Sequence, residues 1–330
     1  MANTDVIKND EVLAAEEKAL KRAVMASRVR AILPVIGLVA VSLIFNILSN
    51  GKLLAPMNIK LLMSQVYVTM IAATGVFFIM TMGGLDFSQG SILGIASIVF
   101  CYLSRFNIPL AIIGGVLAGA CIGAINGYFY VKRKVKSFVV TICTMFLFRG
   151  VIEFATTNAP VQGDIVKTMS LDNNVVKMTI TLIVLLTAFF FFRFTKFGRY
   201  LKAIGAGEKA AAFSGIETDK MKFMVYILAG AITGLAAFIN VVKVGSVTAS
   251  SGNQLETQIM IALVLGGMPI SGGAKVKFEN VVVGSLLYII LNAGLVTLGL
   301  TPALQQLIEG IVFLIVVAIT SDRNSVQIVK

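Results

Sequence analysis

The chain has 330 residues, 57% of them hydrophobic and 13% charged, so a water-soluble globule would lack the polar groups to cover its surface. Its net charge of +12 sits in short basic clusters between apolar runs, which excludes a nucleic-acid-binding surface and fits the positive-inside rule. The chain has no histidine, which excludes a His-based metal site, general base or proton relay.

Residues 1–30 form a charged N-terminal segment. Within it, 9–30 reads as an amphipathic helix on the cytoplasmic headgroups. Asn9 caps it, Asp10, Glu11, Glu16 and Glu17 suit its positive end, and Lys18, Lys21, Arg22, Arg28 and Arg30 follow. No secretory cleavage site follows, so the first apolar run is expected to stay as an anchor.

From Ala31 to Thr320 the chain is a succession of apolar runs. A hydrocarbon core about 30 Å thick needs roughly 20 helical residues to cross it. The spans are predicted at about 31–48, 59–82, 89–104, 109–131, 137–157, 179–194, 223–243, 256–270, 278–298 and 303–320. The expected fold is therefore an all-α polytopic membrane protein of about ten transmembrane helices. The third span is short and opens on Gln89-Gly90-Ser91, so it either spans or re-enters as a half-helix. Cys101, Cys121 and Cys143 fall in apolar segments and read as buried small hydrophobes.

Charge sets the orientation. With the N-terminus inside, Lys132, Arg133, Lys134, Lys136, Arg193, Lys196, Arg199, Lys202, Lys209, Lys220, Lys222, Lys275 and Lys277 are cytoplasmic. The outer faces keep Lys52, Lys60, Arg105, Lys167 and Lys177. An even span count puts both termini, including the tail 321–330, in the cytoplasm. Two outer connections are polar, Thr157–Lys177 and Gly245–Leu255, and each is either a partner surface or a solvated loop.

Four constellations carry chemistry. Gly83-Gly84-Leu85-Asp86-Phe87-Ser88-Gln89-Gly90-Ser91 breaks the helical run near bilayer depth, where irregular backbone must be sheltered by protein or water. Asp86 there caps the next helix through the Ser88 and Gln89 amides, lines a polar path, or pairs with a basic group. A second Gly-Ser break runs from Gly266 to Gly273. Broken helices of this kind occur in transporters. The connection 193–222 holds a short predicted helix, Glu208 to Phe213, stopped by Gly215. Finally, polar residues sit inside spans. Arg149 and Glu153 are spaced to neutralise one another, Gln305 and Glu309 share a face, and Asn126 and Asn292 serve as interhelical links or solute contacts. No phosphate-cradling G-x-x-x-x-G-K-[ST] occurs. No row of basic residues runs along a span, and no nucleophile stands with a base.

These blocks carry a resemblance. Gly83 to Ser91 resembles the G-G-[IL]-D-[LF]-S-x-G-S block of ribose-type ABC transporter permeases. Gly198-Arg199-Tyr200-Leu201-Lys202-Ala203-Ile204-Gly205 and Glu208 to Ile216 are similar to their cytoplasmic coupling segment. Leu265 to Gly273 and Gln305 to Gly310 match two further blocks. Gln89 stands where a small apolar residue is common, and Pro269 interrupts the third block.

The resemblance implies a permease domain over 31–320, in the cytoplasmic membrane. It would act with a second permease subunit, a cytoplasmic ABC ATPase and an external solute-binding protein. ATP and Mg would be held by the partner ATPase, and the chain itself would hold no cofactor and no metal. Gly198, Arg199, Glu208, Ala211, Gly215 and Ile216 are the expected ATPase-coupling residues. Asp86, Ser88, Gln89, Ser91, Asn126, Asn292 and Gln305 are the expected polar residues of the path. The expected cargo is a monosaccharide or similar polar solute. A different class, an ion-gradient-driven secondary transporter working through Asp86 or Glu309, would need no ATPase. A membrane scaffold would move nothing.

Overall fold

Ten apolar helices coincide with the ten predicted runs in the computed structural model, which describes residues 32–320 and side chains as far as Ala318. The predicted segment 1–30 and the tail 321–330 lie outside the described residues. In chain order the apolar helices are α1 (Ile32–Leu48), α2 (Pro56–Thr81), α3 (Gln89–Ser104), α4 (Ile108–Val131) and α5 (Ser137–Ala155). A two-residue strand β1 (Val161–Gln162) and the short α6 (Ile165–Met169) precede α7 (Asn174–Phe194). Two further helices, α8 (Lys196–Ala206) and α9 (Glu208–Phe213), lead into α10 (Thr218–Val244). Strand β2 (Ser246–Val247) is followed by α11 (Leu255–Leu265), α12 (Glu279–Thr297) and α13 (Pro302–Thr320).

Six of these, α2, α4, α5, α7, α10 and α12, have the length and apolarity to cross a bilayer. The remaining four are shorter apolar helices, α13 being counted over Pro302–Ala318. The expected boundaries shift by five residues at three places, one of them the start of α10 at Thr218 rather than 223. α7 starts at Asn174, where the Asn173 side chain accepts the Val175 amide, and α11 stops at Leu265 because Gly266 and Gly267 follow.

Helix α2 is the hub. Every residue from Val66 to Thr81 is buried, against α7, α10, α11 and α12. The closest helix pair is α4 with α10. A Cβ on Gly119 would overlap the Gly230 carbonyl oxygen, and one on Gly230 would overlap that of Gly119. Glycine lets the two backbones touch, and dispersion between touching backbones is what joins helices where lipid removes the hydrophobic drive. The outer helices turn apolar side chains outward, including Ile47, Leu117, Phe146, Leu186 and Leu314. Cys121 and Cys143 also lie on that outer surface. Their expected burial is corrected, and only Cys101 is inside.

The basic residues that follow α4 and α7 gather at one end of the bundle, while Arg105 and Lys167 lie at the other. At the first end Lys134 pairs with Asp219 at 2.9 Å, and Lys222 pairs with Glu208. The opposite end carries an antiparallel ribbon in which Val161 faces Val247 and Gln162 faces Ser246. This ribbon is the one β element among the described residues and is absent from the all-α expectation. Beside it, Asp164 caps α6 through the Lys167 amide. The Lys167 side chain and amide hold the Asp164 carboxyl below the usual carboxylate range.

Candidate functional site: two broken helices meeting inside the bundle

Helix α2 ends at the basic end, where Gly83 takes a φ of +79°. The two glycine breaks meet at this point, since the Gly273 amide donates to the Thr81 carbonyl at 3.0 Å. The chain then climbs back into the bundle as a non-helical segment. The Leu85 amide donates to Ser137 Oγ at 3.3 Å, and the Leu85 carbonyl accepts from Tyr226 OH at 3.4 Å. Helix α3 therefore starts within the bundle and runs to the ribbon end, where Ser104 Oγ accepts the Asp164 amide. Among the described residues α3 does not turn back before the ribbon end.

Five of the predicted path residues come together at the start of α3. Asp86 Oδ1 accepts from the Ser88 amide at 2.8 Å and from Ser88 Oγ at 2.6 Å. Its other oxygen accepts from Gln89 Nε2 at 2.7 Å. Gln89 in turn accepts from Thr233 Oγ1 on α10. Asn126 Nδ2 on α4 donates to Ser88 Oγ at 2.8 Å, and Ser91 Oγ donates to the Ser88 carbonyl at 2.7 Å. Asp86 thus caps through the Ser88 amide, as one expectation had it, but Gln89 reaches it by side chain and not by amide. Among the described residues no cation pairs with Asp86; three donors satisfy it instead. All of these side chains are 0–1% exposed, so none opens on a water path in this conformation. Asn126 Oδ1 is left without a partner.

Asn292 and Gln305 lie elsewhere. Asn292 Nδ2 donates to Glu309 Oε1 at 2.8 Å, with Tyr288 OH at 3.3 Å from both Glu309 oxygens. Gln305 Nε2 donates to the Leu300 carbonyl at 2.7 Å and does not join Glu309. This α12–α13 group forms a separate link between two helices.

The second broken element is the polar connection after β2. Part of it packs along α3, where Gly252 meets Gly90 backbone to backbone, while Thr248, Ser250, Asn253 and Gln254 stay exposed. Arg149 on α5 clasps this contact. Its Nη2 donates to the Gly252 carbonyl at 2.7 Å and its Nη1 to the Ser251 carbonyl at 3.2 Å. It also pairs with Glu256 at 3.5 Å. The expected Arg149–Glu153 pair is therefore corrected. A carboxylate from α11 and two carbonyls from the connection before it converge on the guanidinium, while Glu153 stays exposed. Depth follows from helix rise. Gly90 precedes Ser104 by fourteen residues, about 21 Å, and Arg149 follows Ser137 by twelve, about 18 Å. The N-terminal ends of α3 and α11 thus meet near mid-depth.

At the basic end, α8 and α9 carry the predicted coupling residues. Gly198 and Ala211 face inward, and Glu208 is tied to Lys222. Arg199 and Gly215 are exposed. The predicted helix Glu208–Phe213 forms, and the Ile216 amide closes it on the Ala211 carbonyl at 3.2 Å across Gly215. Phe213, at 92% exposure, is the tip of this surface. A cavity of about 400 Å³ opens instead at the ribbon end between Tyr102, Arg105, Asn158 and Gln162, and no predicted path residue lines it.

The residues that sequence reasoning missed are Thr233, Gly252 and Glu256. The one signal for Gly252 and Glu256 was the small polar run Ser250-Ser251-Gly252-Asn253-Gln254, which reads the same in solvent or in protein, and Thr233 inside an apolar span gave none.

Residues 58–317 match a family model described as branched-chain amino acid transport system / permease component. The chain is 34% identical over 301 residues to the ribose import permease protein RbsC of Bacillus subtilis, covering 88% of this chain and 93% of that one. It is 30% identical over 278 residues to RbsC of Escherichia coli K12, covering 81% and 86%. It is 31% identical over 288 residues to the D-allose transport system permease protein AlsC of Escherichia coli K12, covering 85% and 87%. No solved structure matches it.

Proposed function

The chain belongs to this family of ABC transporter permeases, multi-pass proteins of the cytoplasmic membrane, and from that premise we propose that it is the membrane subunit of an importer for a monosaccharide or similar polar solute. The solute passes from an external binding protein to the cytoplasm, and a separate ATPase drives the passage. Relatives named for ribose and D-allose support the cargo class. The observation that carries the reading is the meeting of the α3 and α11 N-terminal ends near mid-depth. Broken helices place unpaired amide dipoles and irregular backbone where a polar solute must cross.

The Asp86–Ser88–Gln89–Asn126 network holds the start of α3 at this depth in the closed state. Its members meet solute only when α3 shifts, and the unpaired Asn126 Oδ1 is then a ready acceptor for a solute hydroxyl. Exposed Phe213, Arg199 and Gly215 form the surface against which the ATPase pushes, with Glu208, Ala211, Gly198 and Ile216 setting its shape. The sequence carries no G-x-x-x-x-G-K-[ST] loop, and this reading assigns ATP and Mg to the ATPase. A second permease subunit, a copy of this chain or a different one, completes the path.

Co-purification with candidate ATPases, followed by reconstitution with a binding protein, tests this. Labelled monosaccharide should enter only when all three components are present. Entry without an ATPase would instead favour the ion-gradient transporter.

A further inference from the structure

Three polar side chains stand exposed near mid-depth, beside the Arg149–Glu256 pair. Asn253 and Gln254 end the polar connection and Thr257 lies in the first turn of α11. Among the described residues none of the three has a side-chain hydrogen-bond partner. Gln254 also holds a φ of +65°, a left-handed backbone that strains a residue with a Cβ. The Arg149 clasp on the Ser251 and Gly252 carbonyls keeps it there. Unpaired amides and a hydroxyl facing hydrocarbon would each lose their hydrogen bonds to water outright. Apolar side chains fill the neighbouring lipid-facing positions, Phe146 and Leu147 on α5 among them, so the polar set departs from its surroundings.

We propose that Asn253, Gln254 and Thr257 form the wet wall of the solute path, and that they bind the hydroxyls of a neutral polyhydroxylated solute. The assignment rests on the importer reading above. Amide and hydroxyl groups donate and accept without carrying charge, which matches an uncharged solute that must leave as readily as it enters. The Arg149–Glu256 pair is consumed internally, so it shapes the wall without presenting net charge to the path.

Cysteine accessibility in the complete transporter tests this. Cys121 and Cys143 are first replaced by alanine, and Gln254→Cys, Thr257→Cys and Leu186→Cys are made singly. Leu186, 65% exposed on α7, supplies the lipid-facing reference. A membrane-impermeant methanethiosulfonate reacts with thiolate, which forms only in water. Gln254→Cys and Thr257→Cys should react at least about tenfold faster than Leu186→Cys, and excess transported monosaccharide should slow them. Rates equal to the Leu186→Cys reference overturn the wall. Slow labelling with cross-linking of Gln254→Cys between two copies puts protein there and overturns it too. Fast labelling that no monosaccharide slows overturns the solute assignment. ATP-driven uptake by the parent without cysteine substitutions at these sites tests the importer reading separately.

Discussion

Gly90 and Gly252 stand face to face, each so close that a Cβ on one would overlap the carbonyl oxygen of the other. The contact joins the first turn of α3 to the turn that leads into α11. It is the point at which two broken helices seal the centre of the bundle. Arg149 and Glu256 surround it, and a Cβ on Gly90 would meet both.

The first prediction follows from that fit. Gly90→Ala and Gly252→Ala each force backbone apart, which costs about 1–3 kcal/mol by overpacking. Gly252 also has a φ of +72°, which adds strain for alanine. Both variants should lower the apparent melting temperature of the detergent-solubilised protein and reduce uptake. Gly150→Ala and Gly310→Ala meet nothing within 4 Å and should do neither.

Asp86 provides a second test. Asp86→Leu leaves the Ser88 backbone amide and hydroxyl and the Gln89 side-chain Nε2 without their acceptor, each at about 1–3 kcal/mol. Uptake should fall further than the yield of inserted protein. Asp86→Asn places an amide donor against Gln89 Nε2, and adding Gln89→Glu restores an acceptor. The double variant should therefore recover uptake that the single one loses. Uptake unchanged by Asp86→Leu would reduce Asp86 to a replaceable cap.

A third concerns the basic end. Phe213→Asp removes the most exposed apolar side chain on α9, and Gly215→Arg adds bulk and charge where φ is +83°. Glu208→Lys sets a cation against Lys222. All three should reduce ATPase co-purification severalfold while membrane insertion stays intact. Unchanged co-purification would show that α9 does not dock the ATPase.

The sequence carried the apolar helices because six are long apolar runs and four are shorter ones set off by glycine, proline or polar breaks, and their order needed no tertiary information. It also marked the Gly83–Ser91 break and the α9 stop at Gly215, since glycine announces both locally. It did not carry the partner of Arg149. Spacing along α5 favours Glu153, yet two carbonyls and a carboxylate from a segment more than a hundred residues away win. Nor did it reveal that the connection after β2 enters the bundle, because a short polar run has no periodicity to say what lies around it. Gln89, a departure from the family block, finds its reason in the structure as the bridge from Asp86 to Thr233.

A fourth prediction concerns α4 and α10. Gly119→Leu drives a side chain into the Gly230 carbonyl and should prevent recovery of folded protein. Leu117→Ala, on the outer surface two residues away, should leave yield and melting temperature within error.

The energy source is the most direct test. Proteoliposomes containing this chain with the proposed ATPase and binding protein should accumulate labelled monosaccharide when ATP reaches the ATPase, and ionophores that collapse proton and sodium gradients should leave the rate unchanged. Accumulation that continues without ATP and stops when the gradients are collapsed would contradict the account.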